Sequence, residues 1–239
     1  MKKALNYGVL VLVIGLSALM MGFGLKRYSN KSVGEVSMLI HDNKGLFITD
    51  EIVNNLLKQN GDSLKNQLNS ELNLHNLEHR IAAHPMIEEV LVYQDVNGDL
   101  GVEIYQKTPV LRLFVDERRM YLDQQGGLMP WSTYFTARVP VYHGEWNEEI
   151  QSNVFELIQW IRSDKFWNRE CVAISYDQSE GWSLQTRSAD HKIIVGELTH
   201  LEKKLRKYEI FLVTAMNQGL ADSYEKVNLK FNNQVVCSK

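Results

Sequence analysis

Between Tyr7 and Leu25 the chain runs for 19 residues without a charged side chain, YGVLVLVIGLSALMMGFGL. As a helix such a run is about 28 Å long, close to the roughly 30 Å hydrocarbon thickness of a bilayer. A helix also satisfies its own backbone, as lipid demands. A buried core helix seldom lacks a polar face. A cleaved signal peptide has a shorter apolar core and a small-residue cleavage site, and no clear A-x-A site follows here. The run therefore reads as an uncleaved transmembrane helix, 7–25, behind a cytoplasmic tail, 1–6. Lys2 and Lys3 flank one side and Lys26, Arg27 and Lys31 the other, so the positive-inside rule is nearly a tie. The short tail favours a single-pass type II signal anchor that exports residues 28–239. Gly8, Gly15 and Gly22 recur at sevens, but glycine is common in spans and no G-x-x-x-G is present.

The charge balance splits at the same place. Residues 1–27 hold Lys2, Lys3, Lys26 and Arg27 and no acid, so the remainder carries 22 basic and 29 acidic residues, a net of −7. An acidic body suits a domain held off an anionic membrane rather than lying on it. Its ordinary composition excludes a disordered or collagen-like chain. Two cysteines exclude a disulfide framework or a four-cysteine zinc site.

The first part of the body reads β-α-α-β-β. Val36, Met38 and Ile40 alternate as a half-buried strand, followed by a turn at Asp42 to Gly45. Thr49 caps a helix whose first turn holds Asp50 and Glu51 and whose apolar face is Ile52, Val53, Leu56 and Leu57. Asn60-Gly61-Asp62 ends it. Leu74, Leu77 and Ile81 mark a second helix, stopped by His84-Pro85. Val90, Val92 and Gln94 form a strand. A turn of the Asn-Gly kind at Val96 to Asp99 returns it through Val102, Ile104 and Gln106.

This order is that of a POTRA domain, predicted over 33–109, and it follows a single span. The stretches His84 to Val92 (HPMIEEVLV) and Tyr105 to Val110 (YQKTPV) resemble the FtsQ/DivIB family of bacterial cell-division proteins. Gln106-Lys107-Thr108-Pro109 departs from the family's closing E-R-x-P, keeping the basic residue and the proline.

The second part, 110–239, extends the resemblance. Leu111 and Leu113 alternate with Arg112. Tyr121 to Pro130 (YLDQQGGLMP) resembles the family's strand–turn–strand, and Val139 to Gly144 (VPVYHG) its l-P-x-[IL]-x-G. Asn147 caps a helix with the buried stripe Ile150, Val154, Leu157, Ile158 and Ile161. Strands at 172–176, 181–186 and 191–196 make an antiparallel meander. Leu198, Leu201, Leu205, Tyr208, Leu212 and Ala215 place one long helix with its core face on the sheet. Its basic group Lys203, Lys204, Arg206 and Lys207 reads as a solvated face. Val195 to Tyr208 resembles the family's long helix. Tyr224 to Phe231 and Asn233 to Cys237 resemble its C-terminal hairpin, with Asn228 and Lys230 in place of an acid and a base. The fold expected is α+β: one transmembrane helix, a POTRA domain, and a mainly antiparallel β domain with flanking helices.

The resemblance implies a non-enzymatic scaffold without cofactor, at the division septum of the bacterial inner membrane, regulating septal peptidoglycan synthesis. It implies FtsB and FtsL as partners of the C-terminal domain, with FtsK, FtsW and FtsI nearby. A sheet edge in 224–236 suits an extended partner, with Tyr224, Val227, Leu229, Phe231 and Val235 as candidate contact residues. Alternation puts Val227, Leu229 and Phe231 on one face, which is the arrangement of ordinary core positions too. Two other readings stay open. His75-Asn76-Leu77-Glu78-His79 matches H-x-x-E-H, with both imidazoles on one helix face as a zinc peptidase needs, against two solvent-facing histidines. A secreted POTRA-type chaperone cleaved from a signal peptide is the other. No nucleophile elbow or phosphate loop appears. Cys171 and Cys237 pose the question of a disulfide in an exported domain.

Overall fold

The computed structural model describes residues 10, 12–22, 32–41, 47–58, 68, 69, 71–115, 118–232 and 234–239. Residues 12–22 are helical and exposed, and the ends of the 7–25 span lie outside the described residues, as do the turns at 42–45 and 60–62. Among the described residues no helix is long and apolar enough to cross a membrane. The body divides into two compact units, the first ending at Gln106 and the second starting at Lys107.

The first unit is β1 (Val36–His41), α1 (Asp50–Leu57), α2 (Leu74–Ala82), β2 (Ile87–Gln94) and β3 (Leu100–Gln106). The sheet order is β1-β3-β2, with β1 parallel and β2 antiparallel to the central β3. Local chemistry sets the helix starts. The Thr49 hydroxyl accepts from the Ile52 amide, and the Asn73 side chain from the Asn76 amide. Val53 and Leu57 of α1 and Leu77 and Ile81 of α2 are buried with Val102 and Ile104 of β3. Gln106 closes the unit: its Oε1 accepts from the Phe47 and Ile48 amides at 2.8 and 2.9 Å, tying the segment before α1 to the end of β3. The residue that departs from the family's closing motif thus has a structural task here.

The second unit is a nine-stranded sheet in the order β12-β11-β10-β9-β8-β7-β4-β5-β6. Its strands are β4 (Pro109–Val115), β5 (Arg118–Asp123), β6 (Leu128–Pro130), β7 (Val141–Gly144), β8 (Cys171–Asp177), β9 (Gly181–Thr186), β10 (Lys192–Gly196), β11 (Lys226–Asn228) and β12 (Val236–Ser238). The helices are α3 (Glu148–Ser163), the short α4 (Trp167–Glu170) and α5 (Leu201–Asn217). Pro109 opens β4 of this unit rather than closing the first.

The meander β8-β9-β10 is antiparallel throughout. The sheet as a whole is more mixed than the alternation of apolar residues implies: β4/β7, β7/β8 and β10/β11 are parallel. Pairing direction is set by the connections: α3 lies between β7 and β8, α5 between β10 and β11, and β5, β6 and residues 131–140 between β4 and β7, and side-chain alternation does not encode that. The Asn147 side chain caps α3 through the Ile150 amide, and Ile150, Val154, Leu157, Ile158 and Ile161 are all buried. They share one core with Leu111, Leu113, Tyr142, Ile174 and, from α5, Leu205, Tyr208 and Leu212. Gly144 explains the end of the V-P-V-Y-H-G motif. Its φ is +131°, and a Cβ there would lie 2.3 Å from the Tyr176 carbonyl oxygen, so only glycine lets β7 approach β8 this closely.

Both cysteines are free. Cys171 is on β8 and Cys237 on β12, four strand spacings away, or about 19 Å. A disulfide needs Cα atoms within about 7 Å, so the strand order excludes the bridge that an exported pair invites.

Candidate functional site: the C-terminal hairpin and its sheet edge

The site starts at the end of α5. Gly219, at φ +66°, takes the left-handed conformation that stops the helix. The Gly219 amide donates to the Met216 carbonyl (3.1 Å) and the Leu220 amide to the Ala215 carbonyl (2.8 Å), which is a Schellman arrangement. One turn of 3-10 helix at Ala221–Ser223 then delivers the chain to β11.

β11 pairs parallel to β10, with Lys192 opposite Lys226, Ile193 opposite Val227 and Ile194 opposite Asn228. Two like charges facing each other across a ladder repel. Glu180 resolves this from the β8–β9 turn: its carboxylate meets Lys192 Nζ at 2.5 Å and Lys226 Nζ at 2.8 Å. Hydrogen bonds from these two lysines hold the Glu180 carboxyl below the usual carboxylate range, and Glu180 raises Lys226 in return. β12 pairs antiparallel with β11, Val227 opposite Cys237, and lies at the end of the sheet order. Among the described residues no strand pairs with its outer side, which is an edge of the kind an extended chain can extend.

The five candidate contact residues separate into classes. Val227 and Leu229 are fully buried in the core, and the Leu229 amide donates to the Ile194 carbonyl at 2.8 Å. They hold β11 in the sheet and offer no surface to a partner, so their expected contact role is corrected. Tyr224 is half-buried with its ring 5.8 Å from that of Phe211. Val235 is half-buried beside the edge. Phe231 is the exposed one, at 47%. Alternation groups Phe231 with Val227 and Leu229, but the strand stops at Asn228 and the chain turns outward before it reaches Phe231.

Lys207 holds that turn in place. Its Nζ, on α5, donates to the carbonyls of Phe231 (2.6 Å) and Asn232 (3.4 Å). Partial burial, and then Lys203, lowers its pKa. Lys204 donates to the Glu197 carbonyl at 2.6 Å, and Arg206 bonds Asp164 and Glu209 at 3.0 and 2.8 Å. Three of the four basic residues of α5, Lys204, Arg206 and Lys207, thus make specific ties, while Lys203 is exposed. Nothing local in the sequence pairs Lys207 with a turn 24 residues away. A polar cleft of about 760 Å³ adjoins the hairpin, lined by Tyr176, Glu180, Trp182, His200, Lys204 and Lys230 among others.

In the first unit, His75 and His79 are exposed on α2 with rings 6.5 Å apart. Glu78 turns from them to the sheet, its Oε1 accepting from the Val92 amide at 3.4 Å. Among the described residues no group of three or more His, Cys, Asp or Glu is gathered to hold a metal ion.

A β-α-α-β-β unit followed by a mixed sheet that ends on β12 is the architecture of a POTRA-bearing protein, and the comparisons agree. A family model described as a POTRA-like domain matches residues 34–105, and one described as FtsQ/DivIB, C-terminal related matches residues 108–238. The second covers more than half of the chain, which therefore belongs to the FtsQ/DivIB family of cell-division proteins. No curated protein matches the chain.

Proposed function

We propose that the chain is a non-enzymatic division scaffold that captures FtsB and FtsL through the β12 edge and thereby regulates septal peptidoglycan synthesis. The observation that carries this reading is the uncovered edge of β12, with Phe231 held outward beside it by Lys207. An extended partner segment added to β12 gains main-chain hydrogen bonds, and Phe231, Val235 and Val236 supply side-chain register. FtsK, FtsW and FtsI are the neighbours this position implies. The charge-free run 7–25 supports a single-pass inner-membrane anchor with the acidic body on the outer side, concentrated at the septum.

Capture of FtsB by the full-length chain tests the proposal. Because β11 belongs to the core, truncation from Tyr224 removes folding residues. The informative changes are Phe231→Ala and Cys237→Pro; Cys237 stands opposite Val227, whose backbone faces β10, so the proline removes an outward-facing donor from the edge strand. Both leave tryptophan fluorescence native and lower FtsB/FtsL capture. Undiminished capture by Cys237→Pro sinks the edge model, and a fluorescent fusion spread evenly around the envelope sinks the septal one.

A further inference from the structure

A second surface lies on the other half of the same sheet, on the face away from α3. Along β4 the residues Leu111, Leu113 and Val115 are buried, while Arg112 and Phe114 point to the opposite face. Strand register sets their neighbours there: Arg119 of β5 and His143 of β7 sit on either side of Phe114, and Tyr121 and Val141 on either side of Arg112. Trp131 lies over this face, stacked on Tyr121 at 5.1 Å with an interplanar angle of 4°. Phe114 and His143 stack at 5.4 Å.

The Arg119 guanidinium lies 5.8 Å from the Phe114 ring and 6.0 Å from the Trp131 ring, and that of Arg112 lies 5.5 Å from Trp131. A guanidinium held against aromatic faces leaves its in-plane N–H groups available to a planar anion. Arg119 is exposed with its fork available, whereas Arg112 gives Nη2 to the Ala137 carbonyl and its buried Nε has no hydrogen-bond partner among the described residues, so Arg112 contributes mainly its charge. Among the described residues no carboxylate pairs with Arg112, Arg118, Arg119 or Arg138. Asp116 and Glu117, the nearest acids in sequence, lie outside the described residues. These arginines stand in a body with a net charge of −7.

The geometry points to a docking surface for an extended acidic segment of a protein partner, anchored by Arg119 and Arg112. The two arginines are diagonal neighbours on adjacent antiparallel strands, so their Cα atoms are about 7–8 Å apart. Alternate side chains of an extended peptide are spaced about 6.8 Å apart. Carboxylates at positions i and i+2 of one strand therefore match the two guanidinium groups, and the aromatic rings between them cover the intervening apolar stem. β5 and β12 are seven strand spacings apart in the sheet, about 33 Å, so this surface is separate from the terminal edge.

Fluorescence anisotropy of a labelled peptide of alternating Glu and Ser, titrated with the full-length chain in detergent micelles, tests this. Binding is expected at low salt, weakening as salt rises. Arg119→Glu weakens it at least about tenfold, and Arg119→Lys, which keeps charge and loses the fork, falls between. FtsB capture at β12 is unchanged in both, so this idea and the edge proposal fail separately. The Tyr121–Trp131 near-ultraviolet signal checks the fold, and Arg119→Gln replaces Arg119→Glu with the same expectation if that signal is lost. Equal affinity for wild type and the Arg119 variants overturns the inference. So does equal binding of a peptide of alternating Lys and Ser, or no binding at all.

Discussion

The Nε2 of His191 lies 2.9 Å from the Tyr208 hydroxyl, deep between β10 and α5. His191 Nδ1 meets the Ala221 carbonyl at 3.1 Å, and the Tyr208 oxygen meets Thr186 Oγ1 at 3.2 Å. A carbonyl only accepts, so Nδ1 carries a proton. Burial favours the neutral ring, in which Nε2 accepts from Tyr208. The network joins the start of β10, α5 and the turn into β11, and so supports the hairpin from behind.

That network makes the second unit acid-sensitive. Burial pushes His191 below its ordinary value, with Ala221, Asp222 and Asp190 opposing weakly. The unfolded chain takes up the proton near pH 6.5, while the native state resists until lower pH. Stability from this group is present above about pH 6.5 and is lost as pH falls through the interval below it. All five tryptophans lie in the second unit, so thermal unfolding followed by their fluorescence reads it alone. The midpoint falls between pH 7.5 and 5.5, and His191→Gln flattens that dependence.

Gln106→Leu leaves the buried Phe47 and Ile48 amides without their acceptor. The expected cost is about 1–3 kcal/mol per orphaned group, confined to the first unit. Hydrogen exchange at those two amides accelerates, while tryptophan fluorescence is unaffected. Gln106→Glu retains both acceptors and keeps the amides protected.

Gly144→Ala places a methyl group 2.3 Å from the Tyr176 carbonyl oxygen at a φ of +131°. The clash is with the backbone of the paired strand β8 rather than with the end of a flexible side chain. About 3 kcal/mol or more of destabilisation is expected in urea unfolding.

Lys207→Met keeps the stem of the side chain and removes the tie to the Phe231 and Asn232 carbonyls. The hydrogen bonds are partly solvated, so global stability drops by about 1 kcal/mol or less. Capture of FtsB falls more than stability does, because the turn that presents Phe231 loosens.

What was legible in the sequence was what short-range physics decides. Thr49 and Asn147 announce their helices because a cap acts over three residues. The stripe from Ile150 to Ile161 announces its buried face because the helix period is local. Apolar periodicity, caps and turns carried the β-α-α-β-β order, and the family motifs carried the C-terminal hairpin. The parallel pairings of β4, β7 and β8, and of β10 with β11, were not legible, since each depends on where a long connection lands: α3 before β8, α5 before β11, and β5, β6 and residues 131–140 before β7. Nor was the site's fine structure. Val227, Leu229 and Phe231 alternate identically, yet the end of β11 at Asn228 sends the third outward. The Arg119–Trp131 contact joins residues whose pairing only the β5 register and the segment after β6 create.

The parallel junction of β10 with β11 also has a kinetic meaning. Residues 197–225, α5 among them, must be reeled in before β11 finds its place, so the hairpin closes a long loop and joins the sheet late. Until it does, β10 is the outer strand, and its Ile193-Ile194-Val195 run is an apolar margin open to any neighbouring chain. Any delay in forming α5 therefore prolongs the exposure of the β10 edge.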